Sequence, residues 1–189
     1  MILRPLQPAE AFYRFNTPRW SYRPTSGAGA AKVGGRFNRP SIEALYLSRS
    51  VETASAEYQQ DEPLMPPGTL VTYRIALSQI VDFQNGYVRG EWDELWADWH
   101  CEWRKLALYE EIEPPSWLLG DIAIEGGSKG ILFPSTRHAG GSKCCRLHAA
   151  IRRARRTIDL RSARRLTPES RFVARSDRIG EINLHDGLQ

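Results

Sequence analysis

The chain has 189 residues, of which 41% are hydrophobic and 25% are charged, and it carries a net charge of +4. These values suit one globular domain, and no apolar run reaches the roughly 18 residues that indicate a transmembrane helix. The first residues also lack the apolar stretch of a signal peptide, so we expect a cytoplasmic protein without a membrane partner.

The first third of the chain predicts a loop, a strand and a helix, in that order. Residues 26–35 are rich in small side chains and predict a flexible loop. Residues 44–48 predict a short strand in which Tyr46 faces away from its two neighbours. A helix is predicted over about residues 50–60, because Ser50 is a suitable N-cap for the apolar stripe that follows.

The middle of the chain predicts further strands and helices. Residues 69–77 and 80–83 are β-like runs. Tryptophan and leucine recur at spacings of three and four over residues 92–106, which predicts an amphipathic helix with an aromatic face. A helix capped by Ser116 and a buried strand over residues 129–134 follow. Strands and helices mixed without a strict βαβ rhythm predict an α+β domain.

The positive charge is concentrated at the C-terminal end. Residues 1–136 hold 13 Lys and Arg against 17 Asp and Glu, whereas residues 137–189 hold 13 against 5. Such asymmetry is typical of proteins that bind nucleic acids. Nucleic-acid binding through this basic segment is therefore one candidate function of the chain. The basic segment has only Phe172 for base stacking and no recognisable reader motif.

The three cysteines predict neither disulfides nor a metal site. Cys144 and Cys145 are adjacent, and neighbouring cysteines rarely meet disulfide geometry. His100 and Cys101 lack a second ligand pair at the spacing of a zinc site. Dinucleotide-binding, phosphate-loop and hydrolase motifs are also missing, so general motifs alone indicate only an α+β protein.

Five short motifs in a fixed order are more informative. They are Phe12-Tyr13-Arg14, Gly34-Gly35-Arg36-Phe37-Asn38-Arg39-Pro40, Ala44-Leu45-Tyr46-Leu47-Ser48, Thr53-Ala54-Ser55-Ala56-Glu57 and Gly130-Ile131-Leu132-Phe133-Pro134-Ser135. Together they resemble the RES domain, a family named for its Arg, Glu and Ser residues. The tryptophan-rich segment and Pro114-Pro115-Ser116-Trp117 resemble one subgroup of it. The resemblance covers roughly residues 11–141.

The resemblance implies a fold, an activity and a partner. The fold is a single α+β domain similar to the ADP-ribosyltransferase-like toxins, with a mixed central sheet flanked by helices. RES proteins are toxins encoded beside Xre-type antitoxins, and they consume NAD+. The implied reaction cleaves the nicotinamide–ribose bond of NAD+ without a metal and passes ADP-ribose to water, phosphate or a target protein. The implied partner is a DNA-binding Xre-type antitoxin that covers the active site.

The resemblance also implies five site residues. Loss of nicotinamide leaves an oxocarbenium-like ribosyl cation, and Glu57 suits the carboxylate that stabilises it or orients the attacking group. Arg36 suits the pyrophosphate, with help from Arg14, because guanidinium grips phosphate oxygens bidentately. Tyr46 suits the nicotinamide ribose end, and Ser135 suits a hydrogen bond to ribose or phosphate.

Each of these residues also has a purely structural interpretation. Arg36 and Glu57 could form a simple ion pair, Tyr46 could be a core residue, and Ser135 could stabilise a turn. The family resemblance favours the functional interpretation.

The resemblance breaks after Gly140-Gly141. RES proteins usually continue with an apolar strand, whereas residues 142–148 read Ser-Lys-Cys-Cys-Arg-Leu-His and predict poor strand material. Two explanations are open: a native basic extension, or a shift of reading frame near residue 142 that removes a core strand. We therefore expect a RES-like catalytic domain over residues 1–141 and an atypical, poorly ordered Arg-rich segment over residues 142–189.

Overall fold

A mixed sheet organises the part of the chain that the computed structural model describes, which is residues 1–7 and 9–148. The strands in this part are β1 (Leu3–Leu6), β2 (Ala11–Asn16), β3 (Glu43–Ser48), β4 (Thr69–Arg74), β5 (Leu77–Asp82), β6 (Gly130–Pro134) and β7 (Ser142–His148). The α-helices are α1 (Ala28–Val33), α2 (Val51–Gln59), α3 (Trp103–Leu108) and α4 (Pro115–Glu125), and 3-10 helices span Pro18–Trp20 and Glu94–His100.

The strand order is β1-β5-β6-β7-β3-β2-β4. Strands β5 and β6 are parallel, whereas the other neighbours in this order pair antiparallel. A parallel pair needs a long crossover connection, and the second 3-10 helix, α3 and α4 lie in that connection. This arrangement confirms the predicted α+β class with a mixed sheet and helices. Within the described residues, no helix has the length and apolar character needed to cross a membrane.

The sheet carries a hydrophobic cluster on each face. The side chains of β3 alternate, as the sequence predicts: Ala44 packs in one cluster, while Leu45 and Leu47 pack in the other. The first cluster also contains Phe37, Phe83, Trp92, Trp96, Leu119, Ala123, Ile131, Phe133, Cys145 and Leu147, with Tyr46 packed against it. It therefore joins the sheet to α4 and to the tryptophan-rich segment, and we call this side of the sheet the helical face.

Strand β7 corrects the expectation for residues 142–148. These residues form a central strand that pairs with β6 on one side and β3 on the other, so the sheet continues past the boundary predicted after residue 141. Cys144 and Cys145 are fully buried, one on each face of the sheet, because a free cysteine packs as a small hydrophobe. Burial raises the pKa of Cys144 to about 12, which keeps it an unreactive thiol. The predicted Arg-rich continuation lies outside the described residues.

Two other segments differ from the prediction. Residues 26–35 contain helix α1 instead of a flexible loop. Its N-cap Gly27 lies close to the backbone of Ala44: a Cβ atom on Gly27 would lie 2.8 Å from the Ala44 nitrogen. The tryptophan-rich segment forms a 3-10 helix with a non-helical Asp98 and then a separate α3, instead of one amphipathic helix. Ser116 is buried inside α4, whose N-cap is Pro114.

Helix α4 contacts the loop that follows α1 through a glycine. A Cβ atom on Gly120 would lie 1.8 Å from the carbonyl oxygen of Phe37. We expect Gly120→Ala to lower the free energy of unfolding by about 3 kcal/mol, because the helix and the loop would have to separate. Urea denaturation measures the change. Gly29→Ala in α1 is the matched control, since nothing lies within 4 Å of its added methyl group. Equal stability of the two variants would contradict this packing.

Candidate active site

The loop from Gly34 to Asn38 depends on two glycines. Gly34 has a φ angle of 87°, in the left-handed region that favours glycine. A Cβ atom on Gly35 would lie 2.6 Å from the hydroxyl oxygen of Tyr46. Trp117 of α4 donates a hydrogen bond from Nε1 to the Gly35 carbonyl at 2.6 Å. The loop is therefore held against both the sheet and α4.

The hydroxyl of Tyr46 fixes the same loop. It accepts a hydrogen bond from the backbone N–H of Phe37 at 2.9 Å and donates one to Oδ1 of Asn38 at 2.8 Å. Burial raises the pKa of Tyr46 well above its ordinary value. Tyr46 packs against the cluster on the helical face, which agrees with its structural interpretation, and its hydroxyl positions the residues next to Arg36.

Tyr46→Phe tests this role of the hydroxyl. The change leaves the Phe37 N–H without its acceptor and Asn38 without its donor, so we expect a loss of about 1–3 kcal/mol in the free energy of unfolding. Tyr58→Phe is the control, because that hydroxyl makes one exposed hydrogen bond, to the Pro67 carbonyl. Urea denaturation measures the free energy of unfolding of both variants. A Tyr46→Phe protein as stable as the parent would refute this role of the hydroxyl.

Arg36 lies half-buried at the centre of the loop. Its Nη1 donates hydrogen bonds to the carbonyl oxygens of Trp99 at 3.0 Å and Cys101 at 3.1 Å. Burial lowers its pKa, and the charges of nearby groups, Glu57 among them, act in the opposite direction. Within residues 1–7 and 9–148, the Nε and Nη2 atoms of Arg36 have no hydrogen-bond partner, and Arg36 forms no salt bridge.

Glu57 lies near the end of α2 with both carboxylate oxygens engaged. Ser135 Oγ donates a hydrogen bond to Oε1 at 2.8 Å, and Lys143 Nζ forms a salt bridge with Oε2 at 2.6 Å. The side chain is 21% exposed. Arg36 and Glu57 therefore do not form the ion pair of the structural interpretation. The ion-pair partner of Glu57 is Lys143.

Ser135 follows the end of β6, as the sequence predicts. Its hydroxyl oxygen accepts the backbone N–H groups of Arg137 at 3.1 Å and His138 at 3.0 Å, so it does stabilise a turn. The same hydroxyl donates to Glu57. Arg137 forms a salt bridge with Asp61 beyond the end of α2. The turn after β6 is thereby tied to α2 at Glu57 and to the segment that follows α2 at Asp61.

Lys143 completes the cluster, and sequence reasoning missed it. It lies on β7, pairs in register with Ser48 of β3 and Phe133 of β6, and so shares the helical face with Tyr46. Burial lowers its pKa, and the charge of Glu57 opposes this shift. The sequence predicts poor strand material here, although the apolar Cys145 and Leu147 alternate with the polar Arg146 and His148, a short signal of a strand.

Arg14 does not join this cluster. Tyr13 of β2 pairs with Ser48 of β3 and shares its face of the sheet, so Arg14 points to the opposite face, where it pairs with Val71. Burial lowers the pKa of Arg14. The structure thus brings Arg36, Tyr46, Glu57 and Ser135 to one side of the sheet and separates the fifth predicted residue from them.

The surface near the cluster has one hollow worth noting, and it lies beside the cluster and not within it. A surface hollow of about 300 Å³ lies at the end of α2, and it is lined by Tyr58, Gln59, Gln60, Asp61 and Glu62. This hollow begins one residue beyond Glu57, and neither Glu57 nor Arg36 lines it. Metal ligands do not converge here: in the described part of the chain, no group of three His, Cys, Asp or Glu residues could hold an ion.

The fold and the cluster define an α+β protein that holds an arginine, a glutamate, a serine and a lysine on one side of a mixed sheet. The RES domain model matches residues 11–169 of the chain. This protein therefore belongs to the RES domain family, and the match includes β7.

No curated protein matches the chain. Among solved structures, the crystal structure of the M. tuberculosis MbcT–MbcA toxin–antitoxin complex is similar, with a TM-score of 0.48 and 18% sequence identity over 73% of this chain and 73% of that chain.

Proposed function

We propose that this protein is a toxin that cleaves the nicotinamide–ribose bond of NAD+ and passes ADP-ribose to water, phosphate or a target protein. Its membership of the RES domain family supports the proposal, since proteins of this family consume NAD+. The proposed partner is a Xre-type DNA-binding antitoxin that covers the site, and the proposed location is the cytoplasm.

The observation that carries the proposal is the state of Arg36. Arg36 is half-buried, its Nη1 is bonded to two carbonyl oxygens, and its Nε and Nη2 have no hydrogen-bond partner among the described residues, so these two donors are available to an anionic ligand. The planar fork of arginine matches phosphate oxygens in a bidentate manner. The pyrophosphate of NAD+ supplies such oxygens.

Glu57 supplies the second requirement of the reaction. Departure of nicotinamide leaves positive charge on the ribose, and a carboxylate fixed near that charge lowers the barrier. The hydrogen bond from Ser135 holds one oxygen of Glu57 in a defined direction. The side chain is therefore oriented before substrate arrives, which is the condition for electrostatic stabilisation without reorganisation.

A single assay with three arms tests the function. Purified protein is incubated with NAD+ alone, with added phosphate, and with a lysate from a cell that lacks the protein; nicotinamide and ADP-ribose products are followed by mass spectrometry. Free ADP-ribose indicates water as acceptor, ADP-ribose 1″-phosphate indicates phosphate, and a labelled polypeptide indicates a protein target. Absence of nicotinamide release in all three arms refutes the function.

A further inference from the structure

The ammonium group of Lys143 occupies the space in front of the Glu57 carboxylate. Its Nζ atom lies 2.6 Å from Oε2 of Glu57, 5.9 Å from the centre of the Tyr46 ring and 5.6 Å from the centre of the Phe133 ring. The Lys143 side chain is 15% exposed. The proposed reaction assigns no task to this positive charge.

These surroundings are those of a cation-binding site. A carboxylate supplies the opposite charge, aromatic rings within about 6 Å supply a negative electrostatic potential, and restricted access of water strengthens both interactions. Ser135 holds the second oxygen of Glu57, so the carboxylate keeps its direction. Four parts of the fold therefore contribute to the site: α2 contributes Glu57, β3 contributes Tyr46, β6 contributes Phe133, and the turn after β6 contributes Ser135.

Glu57 is the main group that holds the Lys143 ammonium in this cation-binding site. Burial lowers the pKa of Lys143, and the charge of nearby Arg36 acts in the same direction, whereas Glu57 opposes both. The backbone of Lys143 is fixed in the central strand, whereas its ammonium group is carried by a flexible four-carbon side chain.

We propose that the Lys143 ammonium is a resident occupant of a cation subsite formed by Glu57, Tyr46 and Phe133, and that it competes there with the positively charged pyridinium ring of the substrate. The identity of the substrate rests on the proposed function, whereas the cation subsite does not. Lys143 is then a specificity-determining residue: only a ligand whose cation displaces the ammonium group gains access to Glu57.

Binding of 1-methylnicotinamide tests the subsite separately from catalysis. This cation keeps the charged ring but has no ribose to cleave, and neutral nicotinamide is its uncharged counterpart. We expect Lys143→Met to bind 1-methylnicotinamide at least about fivefold more tightly than the parent protein in calorimetry, with no comparable gain for nicotinamide. Lys143→Arg keeps a cation in place and is expected to bind like the parent.

Arg146→Met is the matched control, because Arg146 lies on the same strand but on the opposite face of the sheet. Thermal unfolding verifies that each variant is folded, and Lys143→Gln replaces Lys143→Met if the latter is not. A gain confined to the uncharged variants at position 143 supports the subsite even if NAD+ is not cleaved. Equal affinity of the parent, the uncharged variants and Arg146→Met overturns it, whether or not NAD+ is cleaved.

Discussion

Nicotinamide release from NAD+ is expected to fall by about a hundredfold or more when Glu57 is replaced by Gln. The amide has nearly the shape of the carboxylate but no charge to place near the ribosyl cation, and fixed electrostatic groups of this kind typically contribute a factor of about 10²–10³. Release is measured as nicotinamide by chromatography at saturating NAD+. Glu52→Gln on the same helix is the matched control, because that side chain is exposed.

A loss of activity in Glu57→Gln must be separated from a loss of stability. The variant leaves Lys143 buried without its opposite charge, and breaking such a pair is destabilising. The double variant Glu57→Gln with Lys143→Met removes both charges and is expected to recover stability in urea denaturation without recovering nicotinamide release. Full release by the single or the double variant would show that the carboxylate has no part in the reaction.

Arg36→Lys is expected to lower kcat/KM for NAD+ by about tenfold or more, mainly through a higher KM. Lysine keeps the positive charge and can still reach a carbonyl such as that of Trp99, so the fold should survive. It lacks the planar fork that grips two phosphate oxygens together. Lys32→Met at the end of α1 is the control for a lost positive charge, because Lys32 is exposed. An unchanged KM in Arg36→Lys would remove Arg36 from the proposed binding of pyrophosphate.

The elements with strong local signals were predictable. The strand β3 and the helix α2 lie where the sequence predicts them, and the predicted N-cap Ser50 accepts a hydrogen bond from the backbone of Thr53. Local chemistry determines these elements: an alternating apolar run forms a strand with two faces, and a serine satisfies the free N–H groups of a helix start. The family resemblance implies that Glu57 and Ser135 lie in one site, and the two side chains are hydrogen-bonded.

Elements that depend on tertiary contacts were not predictable in the same way. The glycine- and alanine-rich segment before Arg36 has weak intrinsic signals, yet it contains α1, whose N-cap Gly27 lies against the backbone of Ala44 in β3. Strand β7 is similar: its lysine is a poor strand former by propensity, but the strand pairs with β6 on one side and β3 on the other, and β-propensity depends on such context. Because that strand was missed, Lys143 was missed with it.

The positions of Arg14 and Tyr46 show a further limit. A motif gives the order of residues along the chain, but the side of a sheet on which a residue lies depends on register, and one step along a strand reverses it. Arg14 is one residue from Tyr13, which faces the cluster side, and it therefore faces away. For Tyr46 the face was predictable, while its hydrogen bonds to the loop beside Arg36 needed the folded structure.

The central position of β7 has a consequence for synthesis of the protein. The last described strand in the chain is the fourth in the sheet, so it joins β1, β5 and β6 to β3, β2 and β4. Until the ribosome has passed residue 148, these two half-sheets each expose an unpaired edge, and Glu57 lacks its ammonium neighbour. A chain terminated before Ser142 would consequently leave β6 and β3 without their shared partner strand and the sheet divided in two, and we expect it to be lost to aggregation or proteolysis.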